Sequence, residues 1–237
     1  MNDSGSLCPA TKAAEIIGDK WTLLILRELF LGSSKFGDFQ RGLPRISPTI
    51  LSKRLKKLEE DGLIIRKTGP GEKTREYRLT RCGRETGAII DHMATWGLRW
   101  ARRRIRDEDL DVGAFMWDFH RTLNVEELPD GETVLCVKYP DVPAFGTWWL
   151  VVNDKVVDLC TDDPGKDIDL YIASNFESMV GIWMGDVDVK TAVASDELML
   201  TGAAHLMRSV VSWFPRSNYA DIRPVRLLEQ PPPDRPA

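Results

Sequence analysis

The sequence predicts an α+β protein of two domains, in which a largely helical first domain precedes a sheet covered by helices. The chain has 237 residues, enough for two domains of ordinary size. Its charge is divided, because residues 1–106 carry 22 Lys and Arg against 12 Asp and Glu, whereas residues 107–237 carry 10 against 24. Helical spacing of apolar residues dominates the first part, and short β-branched runs dominate the second. A basic domain joined to an acidic one fits a nucleic-acid reader fused to a domain with a different role.

The first domain is organised around the stretch Ser47–Gly62, which predicts an amphipathic helix. Ser47 is a good N-cap, Pro48 suits the first helical position, and Gly62 can adopt the left-handed conformation that ends a helix. One apolar stripe with the spacing i, i+4 and i+7 comprises Leu51, Leu55 and Leu58. The opposite face is polar and mostly basic, and it carries Thr49, Ser52, Lys53, Lys56 and Lys57.

The segments on either side of this helix predict a helix-turn-helix followed by a wing. Upstream, Lys35–Gln40 predicts a short helix. Downstream, residues 63–67 and 75–79 predict two strands joined by a loop with a basic tip. An isolated amphipathic helix is usually a solvated surface helix, but these neighbours favour a DNA-reading one. The residues expected to contact DNA are Ser47, Thr49, Ser52, Lys53, Lys56, Lys57, Lys73 and Arg75.

The remainder of this domain is predicted to be helical. Residues 11–17 and 21–30 predict the first two helices, and Thr80 is expected to cap one long segment, Arg81–Arg106. Five arginines near the end of this segment have three interpretations: contact with DNA phosphates, pairing with acidic residues, or a solvated face. They are Arg99, Arg102, Arg103, Arg104 and Arg106.

Together these motifs resemble the HxlR family of bacterial winged-helix transcription regulators over about residues 8–105. The matching segments are Cys8–Pro9, Gly18–Leu26, Phe36–Phe39, Ile46–Ser47, Leu51–Leu58, Glu59–Ile64, Glu76–Thr80 and Gly83. The resemblance implies a homodimer, paired through residues 81–106, that binds a double-stranded DNA operator. Cys8 lies where some relatives carry a cysteine that senses oxidants or electrophiles. Its other interpretation is a small apolar residue beneath the dimer interface.

Residues 111–228 predict the second domain. The predicted elements are a helix at 115–119, strands at 133–139, 147–152, 155–160 and 168–172, helices at 174–183 and 187–194, a strand at 197–201 and a helix at 203–213. Asn153–Asp154 predicts a tight turn, and Ser174–Glu177 has the spacing of a capping box. The Pro-rich tail, residues 229–237, is expected to be disordered.

The order of these motifs resembles the sterol carrier protein type two fold over about residues 115–226. The segments that carry the resemblance are Trp149–Val157, Asp169–Ile172, Trp183–Asp186 and Leu198–Gly202. It implies an apolar pocket for a hydrophobic ligand, such as a fatty-acid- or lipid-like molecule. The candidate lining residues are Trp148, Phe176, Met179, Trp183, Met184, Leu206, Met207, Val210, Trp213 and Phe214. The alternative is that these residues simply fill the core.

Other classes of function are disfavoured by what the sequence lacks. It has no Ser-His-Asp set, carboxylate pair or Gly-rich phosphate loop, and its four cysteines and three histidines are scattered. We therefore expect no enzyme activity, no metal and no cofactor other than a hydrophobic ligand. Because no apolar run has membrane-spanning length and no signal peptide is apparent, we expect a cytoplasmic protein without a membrane partner.

These expectations define a dimeric transcription regulator whose second domain, residues 111–228, binds a hydrophobic effector. Three alternatives stay open. The first is a thiol-based redox regulator that acts through Cys8. The second is a regulator whose second domain is a structural support with a filled core. The third, which the fused DNA-binding domain and the missing catalytic residues disfavour, is a lipid carrier or an enzyme.

Overall fold

The computed structural model describes residues 7–68, 75–101 and 111–225. The chain divides into two compact units, residues 1–92 and 93–237, and each contains its own apolar core. The sequence placed the domain boundary at residues 106–111, which lie almost entirely outside the described residues, as does the tail 229–237.

The first unit is a helix-turn-helix with a two-stranded wing. Its elements are α1 (Pro9–Ile17), α2 (Lys20–Phe30), α3 (Phe36–Gly42), α4 (Pro48–Glu60), β1 (Ile64–Thr68), β2 (Arg75–Leu79), α5 (Arg81–Glu85) and the first turns of α6 (Gly87–Trp96). The predicted helices and strands up to Leu79 are confirmed, with ends that differ by a few residues. The winged helix-turn-helix prediction is therefore correct.

The predicted single helix from Arg81 to Arg106 is wrong, because the segment breaks at Thr86. The Thr86 hydroxyl donates to the carbonyl of Gly83 at 2.7 Å, and Gly87 follows, which is a poor helix former. After α6 the chain continues as one π-helical turn, Gly97–Ala101. The residues after Ala101 in the predicted helix lie outside the described part of the chain.

The core of the first unit is formed where α2, α3 and α4 meet. The predicted stripe on α4 is fully buried, and it packs with Ile25 and Leu26 of α2 and with Phe39 of α3. Ser47 caps α4 through a hydrogen bond from the Ile50 N–H to its hydroxyl at 3.3 Å, and Gly62 has the left-handed φ of 74°. The signals that predicted the start, the buried face and the end of α4 are confirmed.

The wing is hydrogen-bonded to the helix-turn-helix. β1 and β2 pair antiparallel from Ile64↔Leu79 to Thr68↔Arg75. The Tyr77 N–H donates to the carbonyl of Ser34 at 2.8 Å, just before α3. The Thr80 hydroxyl donates to the carbonyl of Gly62 at 2.7 Å, just after α4. These bonds fix the base of the wing to both ends of the α3–α4 region.

The second unit contains a five-stranded sheet covered by helices. Its elements after α6 and the π-helical turn are α7 (Val112–Arg121), a 3₁₀ turn (Val125–Glu127), β3 (Thr133–Lys138), β4 (Thr147–Asn153), β5 (Val156–Cys160), β6 (Leu170–Ala173), α8 (Phe176–Trp183), α9 (Val189–Ala194), β7 (Met199–Gly202), α10 (Ala204–Arg208) and α11 (Val210–Trp213). The strand order is β5-β4-β3-β6-β7. Only the β3–β6 pair is parallel among these strands, because β6 is reached by a crossover. The helices and strands of this unit follow the predicted order, and the strands form one sheet.

Three local predictions in this unit need correction. The tight turn lies at Asp154–Lys155, one residue later than predicted, and both residues have positive φ. The capping box at Ser174 is absent, because the Ser174 hydroxyl donates instead to the carbonyl of Glu197 at 2.6 Å. The final helix is divided into α10 and α11, because the Ser209 hydroxyl donates to the carbonyl of His205 at 3.0 Å, a bond that bends helices.

Candidate nucleic-acid interface and candidate effector site

The exposed face of α4 carries most of the residues predicted to contact DNA. Leu51, Leu55 and Leu58 turn inward, so the side chains on the opposite face point to solvent. The exposed ones are Thr49, Ser52, Lys53, Lys56 and Lys57, and Ser47 is exposed at the N-terminus of the same helix. Since Ser47 already caps the helix through its hydroxyl, it contributes to the helix start as well as to this face.

The three lysines of this face differ in their intrahelical partners. Lys57 donates to the Asp61 carboxylate at 2.6 Å, and this hydrogen bond raises the pKa of the Lys57 ammonium. Lys56 lies 3.7 Å from the Glu60 carboxylate, and Lys53 is exposed. Exposed i,i+4 pairs are weak, so Lys56 can leave Glu60 and turn toward an approaching phosphate or base edge at small cost.

The predicted wing contact is described only in part. Arg75 begins β2, is exposed and pairs in register with Thr68 of β1. Lys73 lies outside the described residues. Beside Arg75, the Glu76 carboxylate accepts a hydrogen bond from Arg78 at 2.9 Å, which lowers the pKa of Glu76.

One residue of α4 that the sequence analysis did not single out is held by another helix. The Arg54 guanidinium donates to the Asp19 Oδ2 at 2.8 Å. The Asp19 Oδ1 accepts from the N–H groups of Trp21 and Thr22 at 3.0 and 3.2 Å, so the same carboxylate caps α2. The two residues are 35 positions apart, and no local pattern signals their contact.

The predicted effector-pocket residues are brought together in the second unit. Most are buried between the sheet and the helices, and Trp183, Met184 and Met207 are half-buried. Nine of the ten belong to or pack against one apolar cluster, the exception being Met184; they are Trp148, Phe176, Met179, Trp183, Leu206, Met207, Val210, Trp213 and Phe214. The structure therefore places these nine residues in the core. Residues that line a pocket and residues that fill the core would both lie there.

The indole groups of this cluster are hydrogen-bonded to the protein. Trp148 donates to the carbonyl of Phe145 at 2.6 Å, Trp183 to the Thr122 hydroxyl at 2.9 Å, and Trp213 to the carbonyl of Leu206 at 3.1 Å. These bonds satisfy the polar edges of the rings and leave their apolar faces toward the cluster.

A connected series of aromatic rings runs through the cluster and includes residues that the sequence analysis missed. Phe115 of α7 contacts Phe119, Phe176 and Trp183, with ring centroids 5.4–5.5 Å apart. Tyr139 contacts Phe176 edge to face, with ring centroids 5.3 Å apart, and its hydroxyl donates to the Met116 sulfur at 3.0 Å. Burial raises the pKa of Tyr139 well above its usual value. Because Phe115 and Trp183 are half-buried, the series reaches the surface at that end.

Cys8 is exposed immediately before α1. Backbone N–H groups of Thr11 and Ala10, in the first turn of α1, lower the pKa of the Cys8 thiol. A helix N-terminus stabilises a thiolate in this way.

Among the residues that the structure describes, no group of His, Cys, Asp and Glu is arranged to hold a metal ion. Within the same residues, no helix combines the length and apolar character needed to cross a lipid bilayer.

The fold and the exposed basic helix define the class of this protein as a winged helix-turn-helix DNA-binding protein. Residues 16–105 match the model of the HxlR-like helix-turn-helix family. An uncharacterised HTH-type transcriptional regulator of Bacillus subtilis, YvaP, is 36% identical over 102 residues, which are 42% of this chain and 94% of that protein. The chain belongs to the HxlR-like helix-turn-helix family of transcriptional regulators.

Two further similar proteins are a regulator matched over part of its length and a solved structure. The regulator Mb3122 of Mycobacterium bovis is 46% identical over 87 residues, 36% of this chain but only 54% of that protein. The solved structure of YodB, a transcriptional regulator from B. subtilis, is 29% identical and covers 41% of this chain and 98% of that one, with a TM-score of 0.36. Since that score is below 0.5, family membership rests on the sequence similarity.

Proposed function

We propose that the protein is a cytoplasmic, homodimeric regulator that binds a pseudo-palindromic DNA operator through α4. The observation that carries this proposal is the exposed face of α4, which presents two hydroxyls and three lysines on a helix whose other side is buried in the core. In helix-turn-helix proteins the second helix lies in the major groove, with its N-terminal residues at the base edges. The wing, with Arg75 and Lys73, would contact the neighbouring minor groove.

Dimerisation is supported by an exposed apolar stripe on α6 and the π-helical turn that continues it. The exposed fractions of its residues are 39% for Met93, 59% for Trp96 and 45% for Trp100. Contiguous exposed apolar surface of this kind marks an interaction site. A second copy of the chain, related by a twofold axis, would cover it and set the spacing of two α4 helices on DNA.

For the second unit we propose a ligand-binding domain, residues 111–228, of the sterol-carrier-like type. The support is the order of its elements and the series of aromatic rings that begins at half-buried Phe115 and Trp183. Methionines beside these rings, including Met179 and Met207, suit an adaptable apolar site. A fatty-acid- or lipid-like molecule bound there would act as the effector.

The DNA-binding proposal is tested by truncating the two lysines on the exposed face. Lys53→Ala and Lys56→Ala should each weaken binding to a duplex selected from random sequences by about 1–3 kcal/mol if the side chain reads a base edge. If it contacts only phosphate, binding should weaken on every sequence and the slope of log K against log salt should fall by about one. Glu85→Gln on α5 is the control. Unchanged affinity in both lysine variants would refute α4 as the DNA reader.

A thiol-based regulator is the second candidate, because the start of α1 lowers the pKa of the exposed Cys8 thiol. The thiolate is the form that oxidants attack. Treating the protein with hydrogen peroxide should then modify Cys8 first, as measured by mass spectrometry, and weaken DNA binding in the wild type but not in Cys8→Ser. Preferential oxidation of another cysteine would exclude Cys8 as the sensor.

A further inference from the structure

The Asp19–Arg54 contact joins the start of α2 to the middle of α4. Asp19 uses its two carboxylate oxygens on different elements: Oδ1 caps α2 through two backbone N–H groups, and Oδ2 accepts from Arg54 at 2.8 Å. The side chains of Asp19 and Arg54 are 37% and 32% exposed, so the pair lies at the edge of the α2–α4 contact and not inside it.

The other contacts between these two helices are largely apolar. Leu51 and Leu55 of α4 pack in one cluster with Ile25 and Leu26 of α2. The hydrophobic effect is non-directional and scales with buried area, so a small roll of α4 costs the apolar contact less than it costs a hydrogen bond. A charge-assisted hydrogen bond has a preferred distance and angle, and it resists such a rotation.

A small rotation of α4 matters for base reading. A roll of about 20° moves an atom that lies about 6 Å from the helix axis by about 2 Å. Hydrogen bonds to base edges tolerate only a few tenths of an ångström, so a shift of this size would remove them. Contacts with phosphates from long, flexible lysines would survive it, because those side chains can readjust.

We propose that Asp19 and Arg54 are positioning residues that fix the rotation of α4, so that its outer face meets the base edges in the correct register. Arg54 therefore serves the reading of sequence without itself contacting DNA. This inference rests on the proposed function of α4 as the DNA reader. It predicts a selective loss: binding to a preferred sequence weakens, whereas binding to arbitrary DNA does not.

The test is the ratio of affinities for a preferred duplex and for a scrambled duplex of the same composition. Asp19→Asn is the informative variant, because asparagine also caps helices well but cannot form the ion pair. We expect the preferred duplex to bind about tenfold more weakly, equivalent to about 1.4 kcal/mol, with unchanged affinity for the scrambled one. The salt dependence of binding should stay the same, since no phosphate contact is lost.

Two further variants separate positioning from stability and from direct contact. Glu85→Gln removes the exposed Arg81–Glu85 ion pair of α5 and should leave the affinity ratio unchanged. Arg54→Met should reproduce the effect of Asp19→Asn, and the double variant should be no worse than either single one, because both remove one interaction. Thermal unfolding of each variant shows whether the fold is retained.

Each other outcome overturns the inference. If Arg54→Met reduces the salt dependence and Asp19→Asn does not weaken binding, Arg54 contacts DNA directly. If Asp19→Asn lowers the affinity for both duplexes equally and also lowers the melting temperature, the pair serves only the stability of the fold. A wild-type protein without any preference between duplexes would refute the proposed function itself. Failure of the proposed function is thus seen in the wild type, whereas failure of the positioning role is seen only in the variants.

Discussion

At the scale of single residues, a buried carboxylate in the first unit leaves no room for a larger residue beside it. Glu28 of α2 is completely buried, and its carboxylate accepts hydrogen bonds from the Ser33 hydroxyl at 2.8 Å and from Arg27 at 2.6 Å. A buried charge is tolerated only with such partners. Gly42, the last residue of α3, lies against it, and a Cβ atom placed there would be 2.2 Å from the Glu28 Oε2.

We therefore expect Gly42→Ala to destabilise the protein by about 1–3 kcal/mol, because the carboxylate must move away from its partners. Gly37→Ala in the same helix is the matched control, since a Cβ there has no neighbour within 4 Å among the described residues. It should be neutral or stabilising by up to about 1 kcal/mol, because alanine favours a helix. Urea unfolding measures both values. Equal stability of the two variants would show that Glu28 can relax freely.

Residues whose role is encoded locally could be predicted, and residues whose role depends on a distant partner could not. Ser47 and Gly62 mark the two ends of α4 by their own conformational preferences. The spacing of its three leucines marks its buried face. Asp19 looks like an ordinary helix cap in the sequence, and Gly42 like an ordinary turn glycine. Their contacts with Arg54 and Glu28 arise only when the helices pack, so no periodicity reveals them.

At the scale of elements, the same distinction explains the corrected predictions. Ser174 has the spacing of a capping box, but its hydroxyl reaches the carbonyl of Glu197. The start of α8 is satisfied instead by the Asp141 carboxylate, whose oxygens both lie 3.1 Å from the Phe176 nitrogen. Asp141 comes from the loop between β3 and β4, 35 residues away. A cap supplied from another element has no signature in the sequence around the helix.

The stripe on α6 leads to a prediction about assembly. Trp96→Glu places a charge in the proposed twofold interface, where it would be buried without a partner, and should raise the dimer dissociation constant at least about 100-fold. Val211→Glu is the control, because Val211 is also an exposed apolar residue, at 64%, but lies on α11. Analytical ultracentrifugation measures the dissociation constant of each variant.

Sedimentation of Trp96→Glu as a tight dimer would place the interface elsewhere on the chain. If Val211→Glu dissociates instead, the interface includes the surface of α11. A monomeric Trp96→Glu variant should also bind a two-half-site duplex more weakly than the wild type, since it loses the gain in affinity from binding both half-sites together.

At the scale of the whole molecule, the chain has a basic part and an acidic part. The sequence predicted this division from charge alone, with the basic residues concentrated before residue 107 and the acidic ones after it. It also predicted that the second part has a sheet with helices, because alternating and helical apolar spacings are local. Whether the apolar residues of that part surround a ligand or only each other depends on fractions of an ångström in packing, which no residue pattern encodes.

The last prediction addresses the effector in the full-length protein. Palmitate should bind the wild type, as measured by calorimetry, and change its affinity for the selected duplex, as measured by a DNA-shift titration. Met207→Trp adds volume at a half-buried position against the apolar cluster and should lower palmitate affinity at least about tenfold. DNA binding without ligand should stay nearly intact, and the ligand response should vanish, because a ligand shifts an equilibrium only through differential binding to its states.

Met199→Trp is the control, because it makes the same replacement at a 50% exposed position on β7, outside the cluster. It should retain both palmitate binding and the response of DNA affinity to palmitate. A full response in Met207→Trp would place the ligand elsewhere in the protein. If the wild type binds neither palmitate nor a fluorescent apolar probe, the second unit is not an effector domain of this kind. The lowered pKa of the thiol would then make Cys8 the leading candidate for the sensor.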